Sequence, residues 1–423
     1  MNTKIIDNIV WWIPFRKLRH SVRELILYFI DMDINTRKYI EDKMNYYINE
    51  NKEYINKNVL NLKELFIYNN NYLKYIENND FEYKLEQLIN NLDKYSKITV
   101  FDFINRIIKL YKYNDYSLKY MNEYEMELSK SIEEKRRLVL DFDDYQYYDG
   151  LKLTKKIPMS YIENYNFLNM HSYEVLFNKY LNNIDFSSKN ILDVGSCYGD
   201  IAIFLSKKTD KKVYSFEPVK KTYDILLETL SLNSRLKNIE PVNMGISNYT
   251  GETEIFIPTY NNGNNVDLTS SSISNPLKRE EGILENIKVT TVDAFVQENN
   301  LNIGFIKVDI EGEEKKLLDG ARNTILKQKP YMVISIYHSI EDYFEIKPFI
   351  ESYSKDYDFH VIKMMPYIGQ YETVLLCMPR AEQSRAEQSR AELTNYIYSD
   401  CIYFYHNSKY KKIQPMLQYK IAA

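Results

Sequence analysis

Ile191-Leu192-Asp193-Val194-Gly195-Ser196-Cys197-Tyr198-Gly199-Asp200 decides the fold of this chain once it is read together with Val213-Tyr214-Ser215-Phe216-Glu217-Pro218. The first stretch is an apolar strand running into a glycine turn and then a helix marked by Ile201, Phe204 and Leu205. The second is another short strand, closed by an acid 22 residues after Gly195. Strand, glycine turn, helix, strand and acid in that order outline a nucleoside-binding crevice in a parallel α/β sheet. Gly195 permits the tight turn, Gly199 lets the helix begin close to a ligand, and the helix N-terminus offers unpaired N–H groups. Glu217, at the tip of the next strand, is placed to accept both hydroxyls of a ribose.

Outward from this pair, short strands and helices alternate from about residue 186. Strands are expected at 190–194, 212–216, 239–243, 253–257, 303–308, 331–336, 358–363 and 372–377, with helices near 200–208, 219–232, 313–327 and 339–353. That rhythm is a doubly wound, Rossmann-like α/β sheet with helices on both faces. Its fourth parallel strand runs Phe305-Ile306-Lys307-Val308 into Asp309-Ile310-Glu311-Gly312-Glu313-Glu314, so acids stand just beyond the carboxyl end, where ligands lie in such sheets. Asp309 and Glu311 therefore point to the crevice of Gly195 and Glu217, while Glu313 and Glu314 suit the start of the following helix. His338, one of five histidines, follows the next strand at the same edge. A long polar loop, with Asn261-Asn262-Gly263-Asn264-Asn265 and Ser270-Ser271-Ser272, lies between the strand at 253–257 and Lys288. Loops of this length inside a domain are commonly functional.

Glycine placement divides the chain. All 11 glycines lie between Gly150 and Gly369, and the only proline before Pro158 is Pro14. A stretch so poor in turn formers is natural for helices. Val22, Leu25, Ile26 and Phe29 follow a helical period, as do Ile104, Ile107, Ile108 and Tyr111, and Ile40, Met44, Ile48, Ile55, Val59 and Leu62 make a looser stripe. Residues 1–145 are thus expected to form an all-α N-terminal domain, 146–185 a connector, and 186–380 the α/β domain. Trp11-Trp12-Ile13-Pro14-Phe15, followed by Arg16, Lys17, Arg19 and Arg23, suits peripheral contact with an anionic membrane surface, and equally a staple that packs the first helix on its own domain. The repeat Ala381-Glu382-Gln383-Ser384-Arg385, renewed at Ala386-Glu387-Gln388-Ser389-Arg390, has no large apolar residue and reads as a spacer before the Tyr/Lys-rich tail to residue 423.

A hydrophobic share of 44% with 27% charged residues describes a soluble globular protein, and a net charge of -4 argues against a nucleic-acid partner. Three scattered cysteines, Cys197, Cys377 and Cys401, suggest neither a disulfide framework nor a zinc cluster, which fits a cytoplasmic setting. No apolar run is long enough to span a bilayer. Forty tyrosines are a compositional bias, which weakens any stacking argument from a single aromatic residue.

The stretches at 192–199, 216–218 and 307–312, with Gly320-Ala321, Ser335-Ile336-Tyr337-His338 and Tyr371-Glu372-Thr373-Val374-Leu375, resemble the FkbM-type methyltransferases, within the class I S-adenosylmethionine-dependent enzymes. The resemblance covers residues 186–378. It implies that Gly195 and Gly199 pass the methionine end of S-adenosyl-L-methionine, with Asp193 ordering the turn or the amino group through water. It implies that Glu217 holds the ribose hydroxyls and that Gly245 and Ser247 enclose the adenine. Asp309 and Glu311 would border the methyl group and the acceptor, and the polar loop would be an acceptor-side lid whose Ser271 and Ser272 donate to a polyol or to the cofactor carboxylate.

Methyl transfer from a sulfonium needs alignment above all, and a hydroxyl acceptor also needs a base. Asp309 and His338 are the candidate catalytic residues. No metal-ligand spacing is evident, although Asp309, Glu311 and His338 would suit a hard cation in principle. The function expected is O-methylation of a sugar of a surface glycan or glycolipid precursor. Two alternatives stand beside it: a non-catalytic adaptor on a methyltransferase-like scaffold, and an NAD-linked oxidoreductase, which the two-glycine turn disfavours.

Overall fold

The computed structural model describes residues 70–113, 138–155, 165–260, 265–274, 281–365 and 372–380, with Glu127, Lys130, Ser131, Glu134 and Lys135 between them. The tryptophan segment, the stripes over 22–29 and 40–62, the repeat and the tail lie outside the described residues. Strands β4 (Asn190–Val194), β5 (Val213–Phe216), β6 (Ile239–Val242), β11 (Ile303–Val308), β12 (Tyr331–Ser335), β13 (Tyr357–Lys363) and β14 (Thr373–Pro379) make one seven-stranded sheet. Its order is β6-β5-β4-β11-β12-β14-β13. The pairs among β6, β5, β4, β11 and β12 are parallel, and β14 runs antiparallel to both β12 and β13. The inserted antiparallel strand sets this sheet apart from the 3-2-1-4-5-6 order of a dinucleotide-binding sheet.

Burial explains why these runs become central strands. Every residue of β11 is buried, and Ile191, Leu192 and Val194 of β4 are sealed between helical layers. Helix α5 (Asp200–Leu205) is buried along its whole length, and α6 (Lys220–Leu232) turns Ile225 and Leu226 inward. The helix expected at 313–327 is divided into α8 (Glu314–Asp319) and α9 (Arg322–Gln328). Gly320 marks the break, since a Cβ there would stand 2.4 Å from the Ser247 carbonyl oxygen.

The strand expected at 253–257 belongs to a second sheet. β8 (Gly251–Tyr260) pairs antiparallel with β10 (Gly282–Thr290), which is flanked by β7 (Gly245–Ile246), while β9 (Asn265–Val266) pairs with β8. The long polar loop is therefore shorter than its sequence suggests. Ile255, Ile257, Ile287 and Val289 pack with Leu268, Tyr198 and Val219 into a second apolar cluster.

The N-terminal boundary also differs from the expected one at 145. Tyr72–Arg385 form one compact unit, which includes α1 (Asn70–Ile76) from Tyr72 onward, α2 (Phe81–Ile89) and α3 (Lys94–Tyr113). These helices cover apolar faces of β13 and α10 (Ile340–Tyr353) that would otherwise meet water. Tyr75 stacks on Phe344 at 5.5 Å, and Phe103 lies 4.1 Å from Tyr343. Asp93 meets His360 Nδ1 at 2.7 Å, and Val361 N donates to Ser96 Oγ at 2.9 Å. The region read as a connector holds a meander, β1 (Leu140–Asp141), β2 (Tyr145–Tyr148) and β3 (Leu151–Thr154), and then α4 (Tyr165–Leu176). None of the described helices is long and apolar enough to cross a membrane.

Candidate active site

The cleft begins where β4 ends. Gly195 adopts φ +78°, and a Cβ there would come within 1.8 Å of the Asp309 carbonyl oxygen, so only glycine lets the two loops approach. Gly195 N and Ser196 N both donate to Phe216 O, at 3.1 and 2.9 Å, which fastens this turn to the tip of β5. Cys197 follows with φ +47°, and Gly199 with φ +86° precedes α5. A Cβ on Gly199 would stand 2.5 Å from Leu226 Cδ1, so this glycine seats α5 against α6; it does not line the cleft.

Glu217 is buried beside that turn. Its two oxygens accept from Cys197 N (3.1 Å) and Val219 N (3.0 Å). Burial pushes its carboxyl up to about 8, against the pull of those two N–H groups. The same burial, reinforced by Glu217, raises the Cys197 thiol, which therefore stays protonated.

Beneath the turn lies a pair that the sequence reading did not single out. Asp193, fully buried, has Oδ1 at 3.5 Å from the ammonium of Lys307, itself almost sealed from solvent. Lys307 Nζ also donates to the carbonyl oxygens of Val194 and Gly195. Burial disfavours the charge on Lys307, but the carboxylates of Asp193, Asp309 and Asp200 outweigh it and hold its pKa above the ordinary value. Asp200, at the start of α5, is driven by burial up to about 7 and accepts from Asn169 Nδ2 at 3.2 Å. Asp193 thus orders the turn from below and does not reach the cleft. The one available signal was a lysine inside an otherwise apolar strand.

The far wall is the loop after β11. Asp309 and Glu311 line the same cleft as Gly195, Glu217 and Gly245. Tyr337 OH donates to Asp309 Oδ1 at 3.2 Å, and Asp309 Oδ2 has no protein donor among the described residues. Glu311 carries φ +55° and Gly312 φ +99°, a turn that swings the Glu311 carboxyl back toward the sheet edge. Glu314 is fully buried and acts on this loop, not as a helix cap: it accepts from Ile310 N (3.0 Å) and Gly312 N (2.9 Å).

His338 Nδ1 lies 2.8 Å from Glu314 Oε1, while Nε2 sits 3.3 Å from Glu311 Oε1 and 3.4 Å from Asp309 Oδ1. Burial opposes charge on this ring, but Glu311 and Glu314 overcome it and raise the His338 pKa well above its ordinary value. The three carboxylates around the ring favour positive charge there.

Ser271 and Ser272 line the cleft. Ser271 Oγ donates to Leu268 O at 3.2 Å, and Ser272 exchanges backbone hydrogen bonds with Phe256, pinning the loop to β8. Met244, Gly245 and Ile246 line the opposite wall. Ser247 does not: its N–H donates to Thr290 O and its carbonyl abuts Gly320, so the chain leaves the cleft after Ile246.

Residues 193–361 match the methyltransferase FkbM domain. This part of the chain is an FkbM-type methyltransferase domain. Among solved structures, it is similar to a methyltransferase FkbM of Methylobacillus flagellatus, with 20% identity, 51% of this chain and 55% of that one covered, and a TM-score of 0.36. A Streptococcus mutans protein in complex with SAH shares 10% identity over 49% of this chain and 97% of that one, with a TM-score of 0.32. An rRNA methylase of Streptococcus thermophilus shares 12% over 53% and 100%, with a TM-score of 0.30. The chain spans about half the length of the Methylobacillus protein. No curated protein matches the sequence significantly.

The cofactor of this methyltransferase domain is S-adenosylmethionine, and the residues present fit it. Each Glu217 oxygen keeps acceptor capacity beyond its one backbone N–H, as the diol of a nucleoside requires. Gly195 and Gly245 line the cleft without side chains, and Met244, Ile246, Leu268 and Ile273 provide apolar surface for a base.

Proposed function

We propose that the FkbM domain methylates a hydroxyl of a sugar in a surface glycan or glycolipid precursor. The observation that carries this reading is Asp309, which lines the cleft at the end of β11, with Oδ1 accepting from Tyr337 and Oδ2 receiving no hydrogen bond among the described residues. Bound S-adenosylmethionine supplies an electrophilic methyl group: the S–CH₃ bond breaks as the O–CH₃ bond forms, and its electron pair returns to sulfur. The chain's residues do the rest. Glu217 and the Gly195 turn orient the donor, and the Asp309 carboxylate removes the hydroxyl proton as the acceptor attacks. A polyol acceptor is supported by the wall of Asp309, Glu311 and Glu313, which offers acceptors to hydroxyls, while Lys307 is engaged beneath the turn. The same reading keeps the protein in the cytoplasm, in peripheral contact with the membrane through the Trp11-Trp12 segment, and without a nucleic-acid partner.

Calorimetric titration with S-adenosylhomocysteine is the first test. Binding by the wild type and its loss on Glu217→Ala are expected; no binding by the wild type rejects the reading. Mass spectrometry of surface glycans with and without the gene should then show one methyl-sized increment missing. Unchanged methylation in Asp309→Asn would remove Asp309 from the base role.

A further inference from the structure

We propose that His338, Asp309 and Glu311 form a divalent-cation site at the acceptor end of the cleft, with Glu314 as the outer carboxylate that orients the imidazole. The argument starts from one atom. His338 Nε2 is buried and has no hydrogen-bond partner, yet two carboxylate oxygens stand 3.3 and 3.4 Å from it. Neither oxygen is aligned to receive an N–H, so the nitrogen and the two oxygens converge without satisfying one another. Ligands in neighbouring positions around a cation, at metal–ligand distances of about 2.1–2.4 Å, lie roughly 3.0–3.4 Å apart. The observed spacings fall in that range or at its edge.

The opposite side of the ring is prepared for the same purpose. Glu314 Oε1 lies 2.8 Å from Nδ1 and is itself fixed by two backbone N–H groups. A metal-binding histidine characteristically donates its other nitrogen to a carboxylate, which sets the tautomer and turns the lone pair of Nε2 outward. Asp309 and His338 belong with Glu314 to a group whose ligand atoms lie within 4.8 Å of one another, and Glu311 joins it through its 3.3 Å approach to Nε2. Glu314 is occupied by its donors, which leaves Glu311 and Asp309 to complete the inner set. Two carboxylates and one imidazole suit a hard to borderline ion such as Mg²⁺ or Mn²⁺. Beside the acceptor, such an ion would bind the attacking oxygen and weaken its hold on the proton, with Asp309 Oδ1 toward the ion and Oδ2 toward the hydroxyl. This role rests on the function proposed above; the binding of the ion does not.

Mn²⁺ added to the full-length protein tests the site directly, by calorimetry and by electron paramagnetic resonance that reads nitrogen coupling from a bound imidazole. One Mn²⁺ per chain with nitrogen coupling is expected, lost in His338→Gln and weakened about 10- to 100-fold in Glu314→Gln. Retained S-adenosylhomocysteine binding shows that each variant is folded. Absence of Mn²⁺ binding at millimolar concentration in a wild type that binds S-adenosylhomocysteine overturns the site and leaves the methyltransferase reading intact. Equal Mn²⁺ binding by His338→Gln overturns it too, because the ion then sits on surface acids. Mn²⁺ binding with nitrogen coupling but no S-adenosylhomocysteine binding keeps the site and rejects the function.

Discussion

Lys307 and Asp193 face each other across two adjacent strands, 3.5 Å apart, beneath the glycine turn that shapes the cleft. Neither side chain has appreciable contact with solvent, and the Asp193 carboxylate is the leading support for the charge on Lys307. Removing one partner of such a pair leaves an uncompensated buried ion and costs about 3–5 kcal/mol. Lys307→Met should therefore lower stability by that order in urea unfolding. The double substitution Lys307→Met/Asp193→Leu should recover a large part of it, and S-adenosylhomocysteine binding should stay impaired in both, because Lys307 also holds the carbonyls of Val194 and Gly195. Additive losses in the double-mutant cycle would show that the pair is not coupled.

Glu217 makes the ligand-free protein sensitive to pH. Its folded pKa of about 8 is above its ordinary 4.5, so between these values the native state keeps a proton that the unfolded chain has released. Stability from this group is present below pH 4.5 and is lost as pH rises toward 8. Asp200, at about 7, acts in the same direction. Melting temperatures of the apo protein should fall from pH 5 to pH 8, and Glu217→Gln should flatten that slope; an unchanged slope would refute the assignment.

The two glycines of the turn should not respond alike. Both glycines have a left-handed φ, +78° at Gly195 and +86° at Gly199, but a Cβ at Gly195 also meets backbone at 1.8 Å, whereas at Gly199 it meets the end of the Leu226 side chain at 2.5 Å. Backbone strain of this kind costs about 1–3 kcal/mol. Gly195→Ala is expected to abolish S-adenosylhomocysteine binding and to destabilise more than Gly199→Ala, in which Leu226 yields and binding is reduced by less than tenfold. Calorimetry and thermal melts on the two variants distinguish them.

Asp93 and His360 join α3 to the edge strand β13 at 2.7 Å. Burial raises the Asp93 carboxyl, but hydrogen bonds from His360 and Ser96 outweigh it and bring it down to about 2. Its contribution is present above the ordinary 3.8 and is lost as pH falls toward 2. Asp93→Ala, which also removes acceptors for Tyr95 N and Ser96 N, should cost about 1–2 kcal/mol at neutral pH and leave S-adenosylhomocysteine affinity unchanged.

Residues at the ends of apolar strands were the legible part of the site. Gly195, Glu217 and Asp309 could be placed because strand, turn and strand end follow local rules, and all three line one cleft. The Lys307 pair escaped notice because its partner is 114 positions away in the chain, and a lysine inside an apolar strand was its one local mark. The position of His338 at the sheet edge follows from the strand before it, whereas its carboxylate surroundings, Glu311 and Glu314 included, are neighbours in space that no local rule supplies. β10 was missed because its first half is exposed on both faces, including Ile283 and Leu284, and shows no alternation. The docking of α2 and α3 was not legible either, since it answers to apolar faces of α10 and β13 that only exist once the sheet has formed.

That docking sets the order in which the molecule can be completed. The Asp93–His360 contact closes a loop of 267 residues, and Lys347 Nζ reaches back 260 residues to Gln87 O. Contacts of such separation are slow to form and come late. During synthesis the early helices must therefore wait, with Phe81, Phe103 and Ile104 uncovered, until the last strands emerge to receive them. A fragment cut to the 193–361 match would meet the converse difficulty, leaving Tyr343, Phe344 and Val361 bare and inviting aggregation.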